Sequence, residues 1–134
     1  MLDICLANPD RDEAADMERF MAFVTQKVKV PLMIDSTDAA VIELALARCQ
    51  GKSIINSINL EDGLERFDRV VPLARTYGAA VVVGCIDEDK QQGMAVTRAR
   101  KLAIAERVAA PDRALRPARA RHHLRRPRVP GGDG

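Results

Sequence analysis

Apolar and polar positions fall in alternating blocks along this chain, with two different spacings. Short apolar runs stand at residues 2–7 (LDICLA), 30–35 (VPLMID), 53–58 (SIINSI) and 79–86 (AAVVVGCI). Runs of this length, bounded by turn residues, suit strands. Between them the apolar residues recur every three or four positions. Ala14, Met17, Phe20, Met21, Val24 and Val28 share one face and predict a helix over 11–28. Val41, Leu44, Ala45 and Leu46 predict a second helix over 38–49, and Leu64, Phe67, Val70, Val71 and Leu73 a third over 61–77. A fourth, charged on one face, is predicted over 94–108. The punctuation agrees. Asn8-Pro9-Asp10 breaks the first strand, Ser36, Thr37 and Asp38 offer capping oxygens, and Gly51 and Gly78 close helices. Pro72 should kink the third helix or start a new one, because it lacks the donor a helix interior needs. The unbroken apolar run AAVVVGCI suits a strand buried on both faces.

Strand followed by helix, four times over, implies an α/β fold with parallel strands and right-handed crossovers. Two architectures fit, a doubly wound sheet and part of a (β/α)8 barrel. A complete barrel takes about 250 residues, and 134 residues supply about four of its βα units. In both architectures ligands gather at the carboxyl ends of the strands. Polar residues stand at those ends here. Asn8 follows the first run, Asp35 ends the second, Asn56 ends the apolar part of the third, and Asp87 follows the fourth, while Asp3 lies inside the first. A carboxylate and a carboxamide facing one cavity can hold a flat heterocycle. The first accepts from ring N–H and amino groups, and the second both donates and accepts. Asp, Asn and Ser are also common after strands as helix caps, so spacing alone leaves both roles open.

Composition narrows the class. Apolar residues make up 47% of the chain but aromatics only 3%, so the core must be built from Val, Ile, Leu, Ala and Met. No run of about 18 apolar residues is present, so no membrane span or membrane partner is expected. The opening MLDICLANPDRDE has none of the marks of a signal peptide. Cys5, Cys49 and Cys85 are widely separated, which argues against a zinc site or a disulfide frame. They are expected to be reduced, buried thiols of a cytoplasmic protein, with no metal bound. The net charge of +2 conceals an asymmetry. Residues 109–134 hold seven Arg against two Asp, whereas the first 108 residues hold 14 basic and 17 acidic side chains.

The stretches VPLMIDSTDAAVIELALARCQGKSIINSINLEDG and YGAAVVVGCIDEDKQQGMAVTRARKLAIAERV, preceded by LDICLANPDRDE, closely resemble the pterin-binding (folate) domain of cobalamin-dependent methionine synthases. The likeness covers residues 2–108. It implies a (β/α)8 barrel that binds 5-methyltetrahydrofolate as substrate at its carboxyl-end face. The Asp of MIDS and the Asn of IINS contact the pterin in that family, which places the role on Asp35 and Asn56. Asp3 and Asn8 are added as candidates for the same site, and no residue is assigned a catalytic role. The family reaction moves the N5 methyl group to cobalamin, which in the parent enzyme is bound by a separate module outside this sequence. N5 is a poor leaving group unless protonated or strongly hydrogen-bonded, so polar groups around the ring are a chemical need.

The last residues depart from the family. A second pterin carboxylate, in a motif like Ile-Ile-Phe-Asp-Pro, and an Asn from a later strand have no counterpart in this sequence. In their place stands PDRALRPARARHHLRRPRVPGGDG. Back-translated with GC-rich codons and shifted by one base, this segment reads through Ile-Ile-Phe-Asp. His122-His123-Leu124-Arg125 becomes those four residues, with the Asp codon straddling Arg125 and Arg126. Residues 1–108 are therefore expected to form a partial pterin-binding barrel, and residues 109–134 an irregular or disordered tail translated out of frame. Such a fragment should lack methyltransferase activity by itself, and its uncovered inner face could favour self-association. Two other readings compete. One is a fragment of a dihydropteroate synthase or of another corrinoid methyltransferase. The other is a small α/β module with a basic nucleic-acid arm, which the absence of aromatic residues in the tail disfavours, so no nucleic-acid partner is expected.

Overall fold

Strands and helices alternate strictly in the computed structural model, which describes residues 1–115. The order is β1 (Leu2–Cys5), α1 (Glu13–Lys27), β2 (Leu32–Asp35), α2 (Ala39–Leu46), β3 (Ile54–Ile58), α3 (Glu65–Thr76), β4 (Ala80–Val83) and α4 (Arg98–Leu115). All three strand pairings are parallel, and the sheet runs β1-β2-β3-β4 without reversal. A doubly wound sheet reverses its strand order at a switch point and carries helices on both faces. Neither feature is present among the described residues.

The register shows which face is covered. Ile4, Ile34, Ile55 and Val81 lie in one row across the four strands. The first three are buried against the helices together with Met17, Met21, Val24, Val41, Ile42, Ala45, Phe67 and Val70. Asp3, Met33, Ile54 and Ala80 form a row on the opposite face, and none of them is buried. One face of the sheet is thus packed by helices and the other faces inward, as in a segment of a (β/α)8 barrel.

Local chemistry explains the helix boundaries. Asp12 caps α1 by accepting from the Ala15 amide at 3.1 Å, and Asp38 caps α2 by accepting from the Ala40 amide at 2.8 Å. The third helix begins at Glu65 rather than at residue 61, because residues 61–64 form turns around Gly63, whose φ of 74° is a left-handed value suited to glycine. It continues through Pro72. That proline is exposed, so the carbonyl freed one turn earlier can meet water. The fourth helix starts at Arg98 after Thr97, whose Oγ1 accepts from the Arg100 amide at 3.3 Å, and extends to Leu115 instead of ending at 108. Ala103, Ala105 and Ala109, all strong helix formers, favour its continuation.

Two expectations are corrected. The fourth strand is not buried on both faces. Val82 is 38% exposed on the inner face, which no element covers among the described residues, and Val83 on the helix side is 37% exposed beside a cavity under α4. Among the described residues β4 pairs only with β3. The thiols are not all buried either. Cys5 is exposed near the open edge of the sheet, and Cys49 and Cys85 are partly buried. The tail beyond residue 115, including the four-residue stretch at 122–125, lies outside the described residues.

Candidate functional site

The β2–β3 ladder ends on the pair Asp35 and Asn56, which are register partners. Cys5 is the partner of Asp35 on the other side, so Cys5, Asp35 and Asn56 form one row across three strands. Adjacent side chains in a register row project from the same face. Strand alternation puts this row on the inner face, one layer toward the carboxyl ends from Asp3, Met33, Ile54 and Ala80. Asp3 therefore shares the face with Asp35 and Asn56 but sits a layer deeper. The peptide bond after Asn56 is cis.

The capping role open to Asp35 belongs to other residues. Asp38 holds the first turn of α2, and Ser36 Oγ, on a buried side chain, accepts from the Asp38 amide at 3.1 Å. Among the described residues the Asp35 and Asn56 side chains make no hydrogen bond, and both are partly exposed. Among the described residues, then, neither side chain has a hydrogen-bonding task in the fold. Asn8 differs. It stands in the loop after β1, and its Oδ1 accepts from the Asp10 amide at 2.9 Å to close a turn. The structure does not bring it into the register row.

Asp87 is also engaged. Its two carboxylate oxygens each accept from Arg100 Nη2 at 2.9 Å, and Oδ1 also accepts from the Asp89 amide at 3.1 Å. Arg107 of the same helix donates to Glu88 at 2.7 Å. These contacts latch the loop at 87–93 onto α4. The Arg107 guanidinium holds the Glu88 carboxyl below its ordinary pKa, and the backbone N–H groups of Gln91 and Gln92 do the same for Asp89. Away from this loop, burial pushes the Cys49 thiol up, partly offset by its hydrogen bond with Ser53.

The sequence does not single out Arg66, yet the structure does. It lies in the first turn of α3, and its guanidinium donates to three main-chain carbonyls. Nη2 reaches Ser36 O at 2.8 Å, Nε reaches Ser57 O at 3.1 Å, and Nη1 bonds Thr37 O. Ser36 and Ser57 are the residues that follow Asp35 and Asn56. Nothing local in the sequence marks such a role, because all three acceptors are backbone atoms brought together only by the fold.

An apolar cavity of about 630 Å³ lies elsewhere, on the helix side between α3, β4 and α4. It is lined by Phe67, Val71, Val81, Ile104 and Val108, with Arg75 at its wall. Among the described residues its lining has no carboxylate or carboxamide and does not include Asp35 or Asn56. Among the described residues no group of three His, Cys, Asp or Glu side chains could hold a metal ion, and no helix is long and apolar enough to cross a membrane.

Comparison with known proteins adds an independent line. Residues 1–123 match the family described as pterin binding enzyme. The chain is 39% identical over 111 residues to the methionine synthase of Mycobacterium tuberculosis, a match covering 81% of this chain and 9% of that protein. It is 37% identical over 111 residues to the methionine synthase of Mycobacterium leprae, with the same coverage. The chain thus spans about a tenth of the length of these relatives.

Proposed function

The chain belongs to the pterin binding enzyme family, and from that premise we propose that it binds the pterin ring of 5-methyltetrahydrofolate on the inner face of its sheet, between Asp35 and Asn56. The observation that carries this reading is their register pairing, with both polar groups free of any structural hydrogen bond among the described residues and capping handled by Asp38. The Asp35 carboxylate suits ring N–H and exocyclic amino donors, and the Asn56 carboxamide can donate to one ring atom while accepting from another. Asp3 would close the floor of the same face. Asn8 would border it from the loop after β1.

In the parent enzyme, on this reading, the bound folate gives its N5 methyl group to cobalamin on the way to methionine. Cobalamin is held by another module, and no residue of this chain is assigned to it. What these residues supply is orientation of the ring and a polar surround in which N5 can gain a proton or a strong hydrogen bond before the methyl group leaves. The Arg-rich segment at 109–134 is read as out-of-frame translation. Sequencing the gene through its codons tests that reading, with a frame that resumes in Ile-Ile-Phe-Asp as the expected result.

Calorimetric titration with 5-methyltetrahydrofolate tests the site. Loss of a hydrogen-bonded carboxylate partner should weaken binding by about tenfold or more in Asp35→Ala, and Asn56→Ala should weaken it less. Equal affinity in wild type and both variants would refute the assignment. Cys5 provides a second readout, since it is exposed and adjoins Asp35 in register. Bound folate should slow its alkylation by iodoacetamide and leave Cys85, at the helix-side cavity, unprotected.

A further inference from the structure

We propose that Arg66 is the positioning residue of this site, acting as a clasp that fixes Asp35 relative to Asn56. The inference rests on the pterin-site reading above and adds a residue to it. The β2–β3 ladder pairs Met33 with Ile54, Ile34 with Ile55 and Asp35 with Asn56, and there it stops. Beyond that pair the two chains share no ladder rung. One turns through Ser36 and Thr37 into the cap of α2, and the other continues through Ser57 past an irregularity in the β3–β4 register between Ile55 and Ile58. The two candidate ligands are therefore the last pair of the β2–β3 ladder, and although β3 itself runs on to pair Ile58 with Val83, no ladder rung beyond Asp35 and Asn56 holds β2 and β3 together.

The Arg66 guanidinium replaces the missing rungs. One planar group takes Ser36 O and Thr37 O from the β2 side and Ser57 O from the β3 side. It therefore joins the residues immediately after Asp35 and Asn56. Such a bridge needs several donors in fixed directions, which a guanidinium has and an ammonium lacks. Among the described residues Arg66 has no carboxylate partner, whereas Arg69, one turn further along α3, pairs with Glu65. The hydrogen bonds of Arg66 all serve loop geometry. Groups that hold binding residues from behind alter ligand affinity without touching the ligand.

The test uses the 134-residue chain, 5-methyltetrahydrofolate as the probe, and five variants, among them Asp35→Asn alone and combined with Arg66→Ala. Arg66→Ala should weaken binding roughly tenfold while the circular dichroism spectrum and cooperative thermal unfolding are retained. Arg66→Lys keeps the charge but not the fork, and should recover only part of the affinity. Arg69→Ala should bind as wild type. Combined with Asp35→Asn, the Arg66→Ala loss should shrink, because a clasp has less to contribute once the ligand it holds is impaired. A wild-type affinity in Arg66→Ala, or losses that add fully with Asp35→Asn, overturns the proposal. A wild-type chain that binds no folate overturns the pterin reading instead. In that case ligand-free amide exchange still decides the clasp. Faster exchange at residues 36–38 and 57–59 in Arg66→Ala, with α1 unchanged, supports it, and unchanged exchange there refutes it.

Discussion

Asp35 and Asp38 stand three residues apart on one loop and divide its two tasks. Asp38 satisfies an orphan amide at the start of α2, at 2.8 Å from Ala40 N. Asp35 ends a strand, and its side chain bonds nothing among the described residues. The division gives opposite outcomes for two alanine substitutions. Asp38→Ala should cost about 1 kcal/mol of stability, the usual loss for an N-cap, and leave folate affinity close to wild type. Asp35→Ala should change stability by no more than about 0.5 kcal/mol and lower affinity. Urea unfolding and calorimetry on the same preparations check both. A stability loss in Asp35→Ala as large as that in Asp38→Ala would return the residue to a structural role. At this scale the sequence is partly legible. Asp35 and Asn56 can be found because each ends an apolar run abruptly, a signal carried by neighbouring residues. The choice between cap and ligand cannot be made from spacing, since four polar residues in a row, Asp35 to Asp38, all offer suitable oxygens. Arg66 is invisible there because its partners are carbonyls nine, 29 and 30 residues away.

The helices and strands follow from spacing, with departures where competing local chemistry intervenes. The turns around Gly63 delay α3, and the polar loop at 87–93 carries no sequence signal for its attachment to arginines 13 and 19 residues on. That attachment is electrostatic and gives a pH dependence. Glu88 and Asp89 have pKa values lowered in the folded chain, by Arg107 and by the Gln91 and Gln92 amides respectively. A lowered folded-state pKa means that the contribution is present above the ordinary carboxylate range, about 4, and fades as pH falls through the lowered value. Both groups are exposed, so the effect should be local rather than global. Amide protection at residues 87–93, corrected for intrinsic exchange, should hold from neutrality to about pH 4 and drop below it. Glu88→Gln should show weaker protection at neutral pH, with the difference from wild type vanishing in acid. A gap that persists in acid would mean that the Glu88–Arg107 pair does not hold the loop.

For the whole molecule, the consequential feature is the uneven treatment of the two sheet faces. The helix side is a mostly aliphatic core interrupted by the cavity under α4, while the inner side exposes Val82 and leaves Met33 and Ile54 partly uncovered. Among the described residues β1 and β4 are each paired on one side only, so two lines of main-chain donors and acceptors are open as well. Open parallel edges and an uncovered apolar face both favour association. The two edges are also complementary, because β4 of one copy can extend the parallel order toward β1 of another. This geometry leads to a test of the chain in solution. Sedimentation velocity should show concentration-dependent association, and Val82→Lys, which places a charge on the inner face away from Asp35, should shift the population toward monomer. Folate should oppose or reshape the same equilibrium, since its site shares that face. A chain that stays monomeric at all concentrations, with or without the lysine, would show that the inner face is compatible with water as it stands. The polar row of Cys5, Asp35 and Asn56 would then be sufficient to keep that surface solvated.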